Sequence, residues 1–149
     1  MSLTEQINQD IKAAMLARES RKLEALRAIK AALLLAMTEK KSGGEVSETV
    51  EMQILQKLVK QRKESSAVYR SQNRPDLAEE EEFQAEIIEK YLPEQISPEK
   101  LREIVGEIIR ETGASGIRDM GRVMGAASKK LAGKADNKVI SEIVKELLS

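Results

Sequence analysis

The feature that most constrains this chain is its periodicity. Apolar residues recur every three or four positions along almost the whole length, and strand-type alternation is absent. That spacing puts the apolar side chains on one stripe of a helix and would scatter them over both faces of a strand. Ser2 with Glu5 has the form of a capping box, followed by Ile7, Ile11, Ala14 and Met15 on one face of a first helix. A second helix is expected from about Arg21 to Lys40, with Leu23, Leu26, Ile29, Leu33 and Met37 inward. Ser42-Gly43-Gly44 should end it, because glycine tolerates a left-handed cap. Ser47 begins a long third helix carrying Val50, Ile54, Leu58, Val68 and Tyr69. Asn73-Arg74-Pro75-Asp76 breaks that helix and opens a fourth, with proline suited to the first turn and Phe83, Ile87, Ile88 and Tyr91 as its core face.

Leu92 to Pro98 reads as a linker, since proline disfavours helix in the residue before it. Beyond it, Ser97 caps a fifth helix bearing Leu101, Ile104, Val105, Ile108 and Ile109. A sixth starts near Ile117 and ends at Gly133. Asp136 caps a seventh, with Val139, Ile140, Ile143, Val144, Leu147 and Leu148 on its apolar face. The expected fold is therefore all-α, with two small helical domains: four helices over residues 1–92, then a three-helix unit over 97–149. At about 55 residues, the second is close to the lower limit for folding alone.

Lysine plus arginine and aspartate plus glutamate number 25 each, so no global field attracts a polyanion, and any such binding must come from a local patch. Histidine and cysteine are absent, which removes the imidazole base, the thiolate nucleophile and the usual zinc ligands. Ser97-Pro98-Glu99-Lys100 matches a serine–lysine hydrolase pattern, yet it has the simpler form of a helix cap followed by a first-turn proline. No phosphate-binding loop is present, and the Glu79–Glu82 run lacks a paired ligand geometry. The expectation is no catalytic site, no cofactor and no metal. The cations Lys57, Lys60, Arg62, Lys63, Arg70 and Arg74 precede that acidic run and should pair with it between the third and fourth helices. No apolar stretch approaches the roughly 20 residues that span a bilayer, and the first ten residues lack a signal-type apolar core. The default expectation is a soluble cytoplasmic protein without a membrane partner.

Glycine and positive charge concentrate in one place, Gly113 to Asp136. Drawn as a helix from Ile117 at 100° per residue, the segment sorts into stripes. Ile117, Met120, Val123, Met124, Ala127 and Leu131 form an apolar arc; Gly121, Gly125 and Ser128 edge it; Arg118, Arg122 and Lys129 lie just beyond. Lys130 and Lys134 extend the positive charge. Glycine inside a helix costs roughly 0.5–1 kcal/mol relative to alanine, so two require a reason. One is close packing of a neighbouring helix; the other is close approach of a polyanion's backbone to a surface without side-chain bulk. The candidate RNA-binding residues are Arg118, Gly121, Arg122, Gly125, Lys129, Lys130 and Lys134. With no aromatic side chain in the segment for base stacking, such binding would rest on shape and phosphate contacts.

Tyr91-Leu-Pro-Glu-Gln95, Asp119-Met-Gly-Arg-Val-Met-Gly125, Lys130-Leu-Ala-Gly-Lys-Ala-Asp136 and the closing Val139 to Leu148 resemble the GatB/YqeY family. The C-terminal part resembles the tail domain of the B subunit of tRNA-dependent amidotransferases, a domain also appended to some bacterial glutaminyl-tRNA synthetases. The N-terminal helices resemble the extra domain of free-standing YqeY-like proteins. Asn137 stands where relatives often have glycine. The resemblance implies a non-catalytic, tRNA-binding accessory module, with amidotransferase or aminoacyl-tRNA synthetase components as possible partners. The alternative is a protein–protein adaptor, or an effector of an amidotransferase. A carbon–nitrogen ligase activity with glutamine as amide donor would belong to the larger enzyme, because nothing here matches its amidase or its acid-activating domain.

Overall fold

The computed structural model describes residues 2–39 and 46–149. Among these, seven α-helices and one 3-10 turn make up the regular structure, with no strand: α1 (Leu3–Leu16), α2 (Ser20–Thr38), α3 (Glu48–Ser71), α4 (Pro75–Glu89), α5 (Pro98–Thr112), the turn Ile117–Asp119, α6 (Met120–Lys130) and α7 (Asn137–Leu148). The all-α expectation holds. The Ser42-Gly43-Gly44 stop lies outside the described residues. The chain divides into two compact units, Met1–Leu92 and Pro93–Ser149.

In the first unit the helix starts are made as their sequences imply. Ser2 Oγ accepts the Glu5 N–H at 3.1 Å while Glu5 reaches back to the Ser2 N–H, and Ser47 Oγ accepts from Val50 at 3.2 Å. Each satisfies donors that the first helical turn leaves without partners. Ile7, Ala14, Leu26, Ile29, Leu33, Leu55 and Ile88 form the centre of the core. Here α1 packs on α2, and α2 contacts both α3 and α4.

The inward face of α3 differs from expectation. Leu55, Val59 and Ser66 are buried, whereas Val50 and Val68 are 39% and 53% exposed. The reason is a polar seam. Arg62, Ser66 and Arg70 recur every four residues and so share one stripe, which meets α4. Arg62 donates to Gln84 at 3.0 Å, Ser66 to Glu82 at 3.0 Å, and Arg70 binds Glu82 at 2.7 Å; Lys63 pairs with Glu89 at 2.6 Å. Turning this stripe inward turns Val68 outward, because two positions along a helix are about 200° apart. Of the expected pairing between the basic segment and the Glu79–Glu82 run, Arg70 with Glu82 is found, whereas Lys63 reaches Glu89 beyond the run, Arg74 pairs with Asp76 and Glu80 is taken by Arg21 of α2. Met15, expected on the core face of α1, is 55% exposed. Tyr91, just past α4, donates its hydroxyl to the Asp10 carboxylate of α1. Burial, followed by that carboxylate, holds the phenol well above its usual pKa.

In the second unit Leu101, Val105 and Ile108 of α5 meet Val123 and Ala127 of α6 and Ile140, Val144 and Leu148 of α7 around one core. Ser97 Oγ accepts the Lys100 N–H at 3.3 Å, so the serine of the S-x-x-K match is engaged as a helix cap. Gly113 closes α5 at φ 69°, a left-handed value that glycine adopts without a Cβ clash. Asp136 Oδ1 caps α7 through Lys138 N–H at 3.0 Å. Val139 and Leu147, expected on the core face of α7, are 36% and 42% exposed.

Candidate nucleic-acid interface

The candidate residues sit on α6 and the segments that flank it. The α6 helix is shorter than the expected Ile117–Gly133 span, running from Met120 to Lys130. Residues 117–119 wind as a 3-10 turn, which advances 120° per residue instead of 100°. That geometry brings Ile117 into register with Met120, three residues on, yet Ile117, placed in the apolar arc, is 48% exposed. From Met120 onward the stripe holds. Val123, Ala127 and Leu131 are buried, and Met120 and Met124 pack against the same core.

The opposite face is open. Gly121, Arg122, Gly125, Lys129 and Lys130 are exposed, as are Arg118 before the helix and Lys134 after it. A Cβ added at Gly121 or Gly125 would meet no atom within 4 Å. The expectation that these glycines admit a neighbouring helix of the same unit is therefore corrected. Packing of α6 against α5 and α7 uses the Val123–Ala127 side, and the glycine edge is left bare.

The charges around that edge are not equivalent. Arg122 reaches Asp119 at 3.3 Å, one turn back. Asp119 also accepts the Ser115 N–H at 3.0 Å; that backbone bond first, then the neighbouring arginines, hold its carboxyl below the usual pKa. Asp119 thus ties down the loop that leads into α6. The other ion pair of the unit among the described residues joins Arg102 to Glu146. Arg118, Lys129, Lys130 and Lys134 make none, and their charges face solvent.

Two residues outside the candidate set hold the far end of this surface. Gln95 Nε2 donates to the Gly133 carbonyl at 2.7 Å, and the Ile96 N–H donates to the Lys134 carbonyl at 2.9 Å. Nothing in the spacing around Gln95 marks it, because its partner lies 38 positions away. Gly133 itself is buried at φ 75°. Among the described residues, no three carboxylates converge as a cation site, and no helix is long and apolar enough to cross a membrane.

Comparison with known proteins gives two similar relatives. One is "Altered inheritance of mitochondria protein 41, mitochondrial" of Clavispora lusitaniae, 30% identical over 132 residues, covering 87% of this chain and 74% of that protein. The other carries the same name in Meyerozyma guilliermondii, 35% identical over 86 residues, covering 58% of this chain and 44% of that protein. These names overturn the expectation of a cytoplasmic location. The physical reason is that a helical fold without a long apolar segment is equally compatible with either compartment. The family model described as Yqey-like protein matches residues 4–148. From one capped end of the helical chain to the other, it belongs to the YqeY-like family.

Proposed function

We propose that the exposed face of α6 binds the phosphate backbone of a folded RNA, and that the protein acts as a tRNA-binding accessory module without a catalytic centre of its own. The observation that carries this reading is the bare glycine edge. A Cβ at Gly121 or Gly125 would meet nothing within 4 Å among the described residues, and the two glycines lie beside Arg118, Lys129, Lys130 and Lys134, which make no ion pair among those residues. Phosphates accept from lysine and arginine without regard to base identity, and a helix face lacking side chains lets a sugar–phosphate ridge approach closely. The likeness of Asp119–Gly125 to the amidotransferase tail supplies tRNA as the RNA class. The absence of histidine and cysteine in the chain favours docking over chemistry.

The test is a titration of a tRNA transcript across salt with the wild type and with Lys129→Glu combined with Lys134→Glu. Neither lysine makes an ion pair among the described residues, so reversing them leaves the pairs seen there intact. A protein using several phosphate contacts loses affinity steeply with salt, and the double variant should bind weakly with a shallower slope. Equal, salt-insensitive affinities for the two proteins would remove RNA from this surface.

A second reading has one observation in its favour. Ile117 is 48% exposed immediately before α6, and an apolar side chain there suits a partner polypeptide better than phosphate. In that reading the protein is an adaptor or an effector of an amidotransferase. Partners retained from lysate after nuclease treatment, and lost on Ile117→Glu, would favour it; an unchanged transamidation rate on adding the protein would count against the effector role.

A further inference from the structure

We infer that Gln95 is a positioning residue for the basic face, clamping the loop that presents Lys134; this rests on the RNA reading proposed above. The loop between α6 and α7 is only a few residues long, yet it is fixed from several directions. Leu131 and Ala135 are buried as part of the core and Gly133 is buried between them, so Lys134 is directed outward by alternation. The Lys134 N–H donates to the Leu131 carbonyl at 2.9 Å, and the Lys134 carbonyl accepts from the Ile96 N–H at 2.9 Å. The preceding carbonyl, of Gly133, accepts from the Gln95 side chain at 2.7 Å. Gln95 also donates to the Pro93 carbonyl of its own segment at 3.0 Å, so the carboxamide NH2 gives one hydrogen to the loop and uses the other to fix its own orientation. Ile96 packs on the same core and anchors that segment in turn.

The consequence concerns binding. A lysine on a mobile loop loses backbone as well as side-chain freedom when it takes up a phosphate, whereas one on a clamped loop loses only the latter. Gln95 touches no phosphate in this scheme. It acts through Lys134, so removing the clamp should cost the contribution of Lys134 and no other.

The experiment uses the full chain with Gln95→Met, which keeps the side-chain length and loses the donor, Lys134→Ala, and the double variant. The expected result is faster amide exchange at Lys134 in Gln95→Met, with α5 and α7 amides unchanged. Titrated with a tRNA transcript, each single variant should lower the magnitude of the log–log salt slope by at most about 0.7–0.9, one phosphate contact. The double variant should lose no more than Lys134→Ala alone, the non-additivity of residues that act as a unit. Additive losses, or unchanged exchange at Lys134, would overturn the assignment. A wild type that binds without salt dependence would sink the RNA reading, and with it the role in binding, while the exchange arm still judges the clamp.

Discussion

Replacing Gly125 by alanine separates the two explanations of the glycine edge with one measurement. Gly125 lies in the middle of α6, and a Cβ there has no atom within 4 Å to meet. Its backbone is helical, so alanine adds no conformational strain. Alanine in a helix interior is favoured over glycine by about 0.8–1 kcal/mol, partly through the freedom that glycine has in the unfolded chain. Gly125→Ala should therefore raise stability by about 0.5–1 kcal/mol; Gly121→Ala should raise it less, since Gly121 is the second residue of the helix. In a domain of this size 1 kcal/mol corresponds to a shift of about 4–8 °C in the midpoint. Thermal unfolding followed by circular dichroism, with exchange at α6 amides to localise the change, reads the effect. The same methyl stands where a phosphate ridge would approach, so tRNA affinity should fall as stability rises. That opposition marks a site held open for function at the expense of stability. A destabilised Gly125→Ala would refute the reasoning, because it would require a neighbour that the structure does not contain.

Other consequences are equally direct. Leu101→Ala, which empties a fully buried position of the second unit, should cost about 2–5 kcal/mol, seen as lost exchange protection in α5 to α7. Arg102→Met removes the exposed pair with Glu146 and should change stability by less than about 1 kcal/mol in denaturant unfolding. Ser97→Ala removes the α5 cap and should cost about 1 kcal/mol while leaving tRNA binding unaltered. Asp119 has a folded pKa below its unfolded value, so its contribution is present above about pH 3.9 and is lost as pH falls through the lowered folded value. In an NMR titration the Ser115 amide should therefore shift only below that pH, and Asp119→Asn should abolish the shift.

How legible the protein is in its sequence depends on the distance over which each feature is decided. Helix class and most helix ends are local. Apolar spacing, the serine caps at Ser2, Ser47 and Ser97, the aspartate cap at Asp136 and the proline at the start of α4 act within a turn or two, and all are found where their chemistry puts them. The core stripe of α6 was readable from Met120 onward for the same reason. The 3-10 turn before it was not, because apolar spacing over three residues does not distinguish a 3-10 start from the first turn of an α-helix. The α3 face was misread because hydrophobicity counts cannot register that a polar residue, Ser66, is buried on it, donating its hydroxyl to Glu82 of α4.

The candidate surface divides along the same line. Sequence alone determined that glycine and unbalanced positive charge share one short segment, and that the chain carries no histidine or cysteine. Sequence also placed Val123 and Ala127 on the core side; tertiary structure decided what stands beside the glycine edge. With Val123 and Ala127 buried against α5 and α7, no atom of the described residues stands where a Cβ of Gly121 or Gly125 would be, and hydrogen bonds from Gln95 and Ile96 hold the loop carrying Lys134. Such contacts join residues far apart in the chain, so no local pattern encodes them; they exist only once the apolar faces have chosen their partners.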